Sequence, residues 1–204
     1  MNFKLIIFDL DGVLVDACEW HRVALNAALK EVCDYEISLE DHYEIFNGIP
    51  TKVKLQTLTD MGIVSKKQHQ KVYDLKQTKT VETINKLAKI RDEKIVLLET
   101  LKDKGYTLAC YTNSIRLTAN LMLEKTGIYH LFDKVLTNQD VKKSKPDPEG
   151  YELLMSHFGA SKKQTLIVED SPKGILAAQA SGAKLMKVEN PDCVDLDSFR
   201  GIVL

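Results

Sequence analysis

The stretch FDLDGVLVD, residues 8–16, decides how the rest of the chain is read. It follows Lys4-Leu5-Ile6-Ile7, so an apolar run stops at Asp9, and Asp11 stands one leucine further on. A short apolar run bounded in this way reads as a buried strand. Its two carboxylates then lie at the strand's carboxyl end, where open α/β sheets bind ligands.

Working outward, four more segments have the character of buried strands. With residues 5–9 they are 107–112, 134–137, 165–169 and 184–188. Helical patterns lie between the later four. Residues 97–104 have helical apolar spacing, and Gly105 follows as a stop. Leu117, Leu121 and Met122 mark the next helix, closed by Gly127. Pro148 begins another, with Asp147 as its N-cap. Ser171 caps the last, Pro172 takes its first helical position and Gly182 ends it. Strands alternating with helices predict an α/β fold, a Rossmann-like parallel sheet covered on both faces.

Residues 17–86 break this rhythm and contain no strand pattern. Trp20, Val23, Ala24, Ala27 and Ala28 fit one helical face; Leu55, Leu58 and Met61 fit another; Ile84 and Leu87 hint at a third. The segment reads as a helical insert behind the first strand. The expected organisation is an α/β core of residues 1–16 and 87–204 carrying a small helical cap of residues 17–86.

Composition narrows the function. A chain of 204 residues, 44% hydrophobic, can bury the core of one domain with an insert. Lys plus Arg is 28 and Asp plus Glu is 29, a formal net charge of -1. Such a balance gives no global field toward nucleic acid or an acidic membrane, so local groups must hold any charged ligand. Cys18, Cys33, Cys110 and Cys193 form no CxxC pair and have no histidine cluster beside them. That argues against zinc and for reduced packing residues. The apolar run Leu5–Phe8 is far too short for a signal-peptide core or a membrane span. The expected compartment is the cytoplasm, and the expected state is a monomer or weak homodimer.

Polar residues follow each predicted strand at the same sheet edge. Asp9 and Asp11 follow the first, Thr112-Asn113-Ser114 the second, Lys143-Ser144-Lys145-Pro146-Asp147 the third, and Glu169-Asp170-Ser171 the fourth. Asp9, Asp11, Glu169 and Asp170 would repel one another unless a cation sat among them. Oxygen ligands of this kind suit Mg²⁺. A hydroxyl, an amide and a lysine nearby suit a phosphate group. One aspartate can bind metal and attack phosphorus, and the other can give and take a proton. Spacing alone does not say which does which.

Four stretches together resemble the motifs of the haloacid dehalogenase superfamily of phosphotransferases. FDLDGVLVD resembles its DxDGxxxD motif, ACYTNS its strand ending in Thr or Ser, SKPDPEGY its lysine before proline, and LIVEDSPKGILAAQASG its acidic pair before a helix start. The wording is nearest to β-phosphoglucomutase-like and phosphoglycolate-phosphatase-like members. The resemblance implies Asp9 as nucleophile, Asp11 as general acid and then base, and Lys145 offsetting charge. It implies Thr112 and Asn113 as holders of phosphoryl oxygens. Mg²⁺ would be bound by Asp9, the backbone carbonyl of Asp11 and Asp170, with Glu169 acting through water. The partner would be a small phosphorylated metabolite.

In the insert, the same resemblance points to His21, while Lys52 and Lys76 are candidates to hold a substrate anion. Here the chain departs from the mutases: Thr51 stands where they carry an arginine for a second phosphate, and Ala17 where they carry a hinge threonine. The loop 48–52 corresponds to the cap loop that faces the site in the family. These features imply a Mg²⁺-dependent phosphatase acting on a sugar phosphate or phosphoglycolate-like monoester through an aspartyl-phosphate. The rival readings are a phosphomutase and a non-catalytic phosphate-binding regulatory module.

Overall fold

The computed structural model describes residues 3–46 and 49–203. Five strands form one parallel sheet: β1 (Leu5–Phe8), β2 (Thr107–Tyr111), β3 (Lys134–Leu136), β4 (Thr165–Glu169) and β5 (Lys184–Lys187), in the order β3-β2-β1-β4-β5. The helices, in chain order, are α1 (Cys18–Cys33), α2 (Leu39–Asp41), α3 (Thr51–Asp60), α4 (His69–Leu87), α5 (Asp92–Asp103), α6 (Arg116–Lys125), α7 (Glu149–His157), α8 (Pro172–Ser181) and α9 (Leu196–Phe199). This is the expected α/β Rossmann-like fold with an inserted helical segment.

The chain divides into two compact units, residues 1–16 with 89–204, and residues 17–88. In the first unit, β1 is central. Leu5 pairs with Thr107 on one side and Thr165 on the other, so Phe8, Cys110 and Val168 end level. Every residue of β1 and β4 is buried. Continuous apolar runs are what a strand covered on both faces needs. Leu5, Ile7, Tyr111, Tyr151, Leu154 and Ile167 belong to one core cluster. At the edge, Ser171 accepts a hydrogen bond from the Gly174 amide and caps α8, Pro172 opens it, and Gly182 ends it at φ 74°.

Within the second unit, Leu25, Leu29, Phe46, Leu55, Leu58 and Val72 pack together. A π-helical turn, His42–Phe46, precedes α3. Among the described residues this unit has no strand. No described helix is long and apolar enough to cross a membrane.

Several expected helix faces and ends are displaced. On α1, Val23 and Ala27 are exposed, and the buried residues are Ala24, Leu25, Asn26, Ala28 and Leu29. Leu25 and Leu29 remove more apolar area from water than valine and alanine do, so they set the rotation. Met61 follows the end of α3 and is exposed, as are Leu87 and Leu117. Pro148, not Asp147, occupies the N-cap of α7, although Asp147 Oδ1 still accepts from the Glu149 amide at 3.1 Å. Four of the five strands end one residue before the expected position, so Asp9 and Thr112 lie just beyond their strands.

Candidate active site

Parallel strands of equal register deliver their following residues to one edge, and four segments converge there. Asp9, immediately after β1, is buried, and its amide donates to the Val168 carbonyl at 3.0 Å. Its Oδ1 accepts from Lys145 Nζ at 2.5 Å. The same ammonium donates to the Tyr111 carbonyl at 2.8 Å and to Glu169 Oε1 at 2.6 Å. The three protons of the lysine therefore meet three acceptors. Asp11 turns toward the segment after β2: its Oδ2 accepts from Thr112 Oγ1 and from Ser114 Oγ, both at 2.9 Å.

The loop carrying Lys145 is tied to the segment after β2. Asn113 Oδ1 accepts from the Lys145 amide at 3.2 Å, and Asn113 Nδ2 donates to the Lys145 carbonyl at 3.3 Å. Glu149 also accepts from the Lys142 and Lys143 amides, shaping the same loop. Glu169 is fully buried and engaged at both oxygens. Oε1 accepts from Lys145 and from the Tyr151 hydroxyl at 2.7 Å; Oε2 accepts from the Asp170 and Ser171 amides and the Ser171 hydroxyl.

Two glycines allow this closeness. Gly12 lies at φ 93°, and a Cβ there would stand 2.1 Å from Asp170 Oδ2. At Gly174 a Cβ would fall 1.8 Å from Glu169 Oε1. Both positions exclude a side chain because a carboxylate already occupies its place.

The electrostatics arise from four neighbouring acids and one buried lysine, which two of them, Asp9 and Glu169, share. Burial pushes Asp9 well above the usual carboxylate range; Lys145 opposes the rise, while Glu169, Asp170 and Asp11 add to it. Asp170 is pushed up to about 7, by burial first and Glu169 second. Burial works against the charge on Lys145, but Asp9 and Glu169 outweigh it and hold the ammonium protonated. Oxygens of Asp9, Glu169 and Asp170 lie within 4.8 Å of one another. Asp170 Oδ1 is buried with no hydrogen-bond partner among the described residues. A divalent cation fits this donor set by charge and by ligand type.

The structure thus brings together Asp9, Asp11, Thr112, Asn113, Lys145, Glu169 and Asp170 in the first unit. His21, Lys52 and Lys76 belong to the second unit. There His21 Nδ1 and Lys76 Nζ lie 3.3 Å apart, with Lys76 buried and Lys52 exposed. Gly48, the first residue of the loop 48–52, lies outside the described residues. Sequence reasoning missed Tyr111 and Tyr151, and it placed Ser114 at the sheet edge without giving it a role. Ser114 was visible as a second hydroxyl two residues after Thr112. Tyr151 gave only the signal of an aromatic early in a core-facing helix.

An α/β core that gathers acids, hydroxyls and one lysine at the carboxyl ends of its strands defines a class of phosphoryl-handling enzymes. The sequence pattern of the haloacid dehalogenase-like hydrolases matches residues 6–188, and the chain belongs to that family. It is 34% identical over 198 residues to a phosphoglycolate phosphatase of Haemophilus influenzae, covering 91% of this chain and 85% of the relative. It is 30% identical over 187 residues to the pyrophosphatase PpaX of Bacillus velezensis, covering 88% and 80%. A crystal structure from Haemophilus somnus, described as a predicted phosphoglycolate phosphatase, superposes with a TM-score of 0.79 at 28% identity, covering 91% of this chain and 84% of that one. The β-phosphoglucomutase of Clostridium difficile gives a TM-score of 0.82 at 17% identity over 97% and 96% of the two chains, a likeness of fold.

Proposed function

We propose that this chain is a Mg²⁺-dependent phosphatase that hydrolyses a small phosphomonoester through an aspartyl-phosphate on Asp9. One observation carries the reading. Asp9 is buried with one oxygen on Lys145, and Asp11, two residues on, already bonds two hydroxyls. In the proposed reaction the other Asp9 oxygen attacks phosphorus while the ester oxygen leaves. Asp11 gives that oxygen its proton, and the alcohol departs. Asp11, now a carboxylate, takes a proton from water as the water oxygen attacks the phosphoryl group. Phosphate leaves, and both aspartates regain their first state. Thr112, Asn113 and Ser114 would hold phosphoryl oxygens by hydroxyl and amide donors. Lys145 would keep positive charge beside the nucleophile and the transferring group.

Asp9, Asp170 and the backbone carbonyl of Asp11 would hold Mg²⁺. The orphaned Asp170 Oδ1 supports this assignment. Glu169, filled by protein donors, would act from behind by fixing Lys145 and, through water, the ion. Bound Mg²⁺ supplies the positive charge that lets the acids and the phosphate approach each other.

The relatives name two substrate types, phosphoglycolate and pyrophosphate. The favoured substrate is a phosphoglycolate-like or sugar-phosphate monoester, with the inserted unit as a cap and His21, Lys52 and Lys76 contributing to recognition. The deciding experiment is phosphate release from a panel including phosphoglycolate, sugar phosphates and pyrophosphate, with Mg²⁺ and with EDTA. Mg²⁺-dependent release is expected from wild type and none from Asp9→Asn, which should keep its fold by circular dichroism. Full activity in Asp9→Asn would sink the mechanism. Isomerisation of a sugar phosphate without phosphate release would turn the reading to a mutase.

A further inference from the structure

Lys145 sits in a cage that the proposed reaction does not require. Its ammonium lies 4.7 Å from the ring centre of Tyr111 and 5.2 Å from that of Tyr151. The rings meet edge to face, 5.0 Å apart at 89°, and both tyrosines are fully buried. Gly150 makes room for this arrangement: a Cβ there would lie 2.2 Å from the Tyr111 ring. The two hydroxyls differ. That of Tyr111 has no partner among the described residues, whereas that of Tyr151 donates to Glu169 Oε1 at 2.7 Å. This is the oxygen that also accepts from Lys145 at 2.6 Å.

We infer that Tyr151 is a positioning residue whose hydroxyl limits the hold of Glu169 on Lys145 and so keeps the ammonium on Asp9. The physical basis is competition for one oxygen. A carboxylate oxygen that already accepts a short O–H bond has less negative charge to offer a second donor. Without that hydroxyl, Glu169 would draw the ammonium toward itself and lengthen its bond to Asp9. The rings then supply what a packed aliphatic residue would not, an attractive face for the cation that leaves its three protons free for the three oxygens. The inference rests on the phosphatase reading for its catalytic consequence, while the competition itself is a property of the protein without ligands.

Tyr151→Phe keeps the ring and removes the hydroxyl. Misplacing a charge beside the nucleophile and the transferring group should lower kcat about tenfold. The second readout is the ¹⁵N resonance of the Lys145 ammonium in metal-free, substrate-free protein, which burial should keep from fast exchange. It should shift in Tyr151→Phe. Replacing Tyr151 with 3-fluorotyrosine, a stronger donor of the same shape, should shift it the opposite way, and serves if the phenylalanine variant fails to fold. A resonance unmoved in either protein would overturn the inference whatever the kinetics. A shifted resonance with unchanged kcat would overturn its catalytic half. If wild type hydrolyses nothing in the panel, the phosphatase reading has failed, and the resonance still decides the competition for Glu169.

Discussion

His42 is enclosed in the inserted unit, 1% exposed, with neither ring nitrogen bonded among the described residues. Burial is the main cause that lowers its pKa to about 4, and the nearby charges of Lys54, Arg22 and His21 push the same way, against Glu19. The imidazole is therefore neutral in the folded protein and protonates near the ordinary histidine value of about 6.5 only when unfolded. The unfolded chain binds the extra proton between about pH 6.5 and 4, so stability is full above that window and falls as pH drops through it. The full difference is about 3 kcal/mol by linkage. Urea unfolding of His42→Leu should be flatter with pH across that window than wild type. An identical slope would mean that the ring is reached by water or by a partner. Nothing in a lone histidine in EDHYEIF announced this enclosure. By contrast, Asp9 and Asp11 could be read at once, because an acid that ends an apolar strand sits where an α/β sheet binds its ligand.

At the scale of elements, α1 shows how one polar side chain can govern both a helix and the segment behind it. Asn26 is buried, its Nδ2 donating to the Ile37 carbonyl at 2.9 Å and its Oδ1 accepting from the Ile37 amide at 3.1 Å. The pair replaces the backbone partners that Ile37 lacks among the described residues, and it pins Ile37 against the helix. Asn26→Ala leaves two buried backbone groups unpaired and should cost about 3 kcal/mol. A loss below about 0.5 kcal/mol in chemical unfolding would mean that water takes over both bonds. This contact also accounts for a misread face. Periodicity counts apolar residues, so Val23 and Ala27 were placed on the inner face, whereas Leu25, Asn26 and Leu29 are among the residues that bury. The central strands β1, β2 and β4 were legible because burial on both faces leaves them no polar alternation to mistake. The start of α8 was legible because Ser171-Pro172 and Gly182 act locally, through a cap, a fixed φ and a left-handed end. Lys54 and Lys76 were not, since burial of a lysine depends on packing that adjacent residues do not encode.

For the molecule as a whole, the sheet edge is a store of like charge that the fold itself does not neutralise. Asp9 and Glu169 pair with the buried Lys145, Asp11 and Asp170 act on Asp9 from nearby, and Asp170 keeps a buried oxygen without a donor among the described residues. Packing of the apolar strands holds these acids together against their repulsion. A cation that binds only the folded state should therefore stabilise it by mass action, by about 2.7 kcal/mol at a hundredfold excess over its Kd. For a chain of this length that is roughly 5–10 °C in Tm. Thermal unfolding of the EDTA-treated protein, titrated with Mg²⁺, measures this directly. Asp170→Asn separates the ion from general salt effects. The amide removes one like charge, so the metal-free variant should melt no lower than metal-free wild type, and added Mg²⁺ should raise its Tm much less. A wild type indifferent to Mg²⁺ would mean that the four acids are tolerated by protonation instead. An equal rise in both proteins would place the ion away from Asp170 and undo the ligand assignment, leaving Lys145 as the charge that the phosphoryl chemistry depends on.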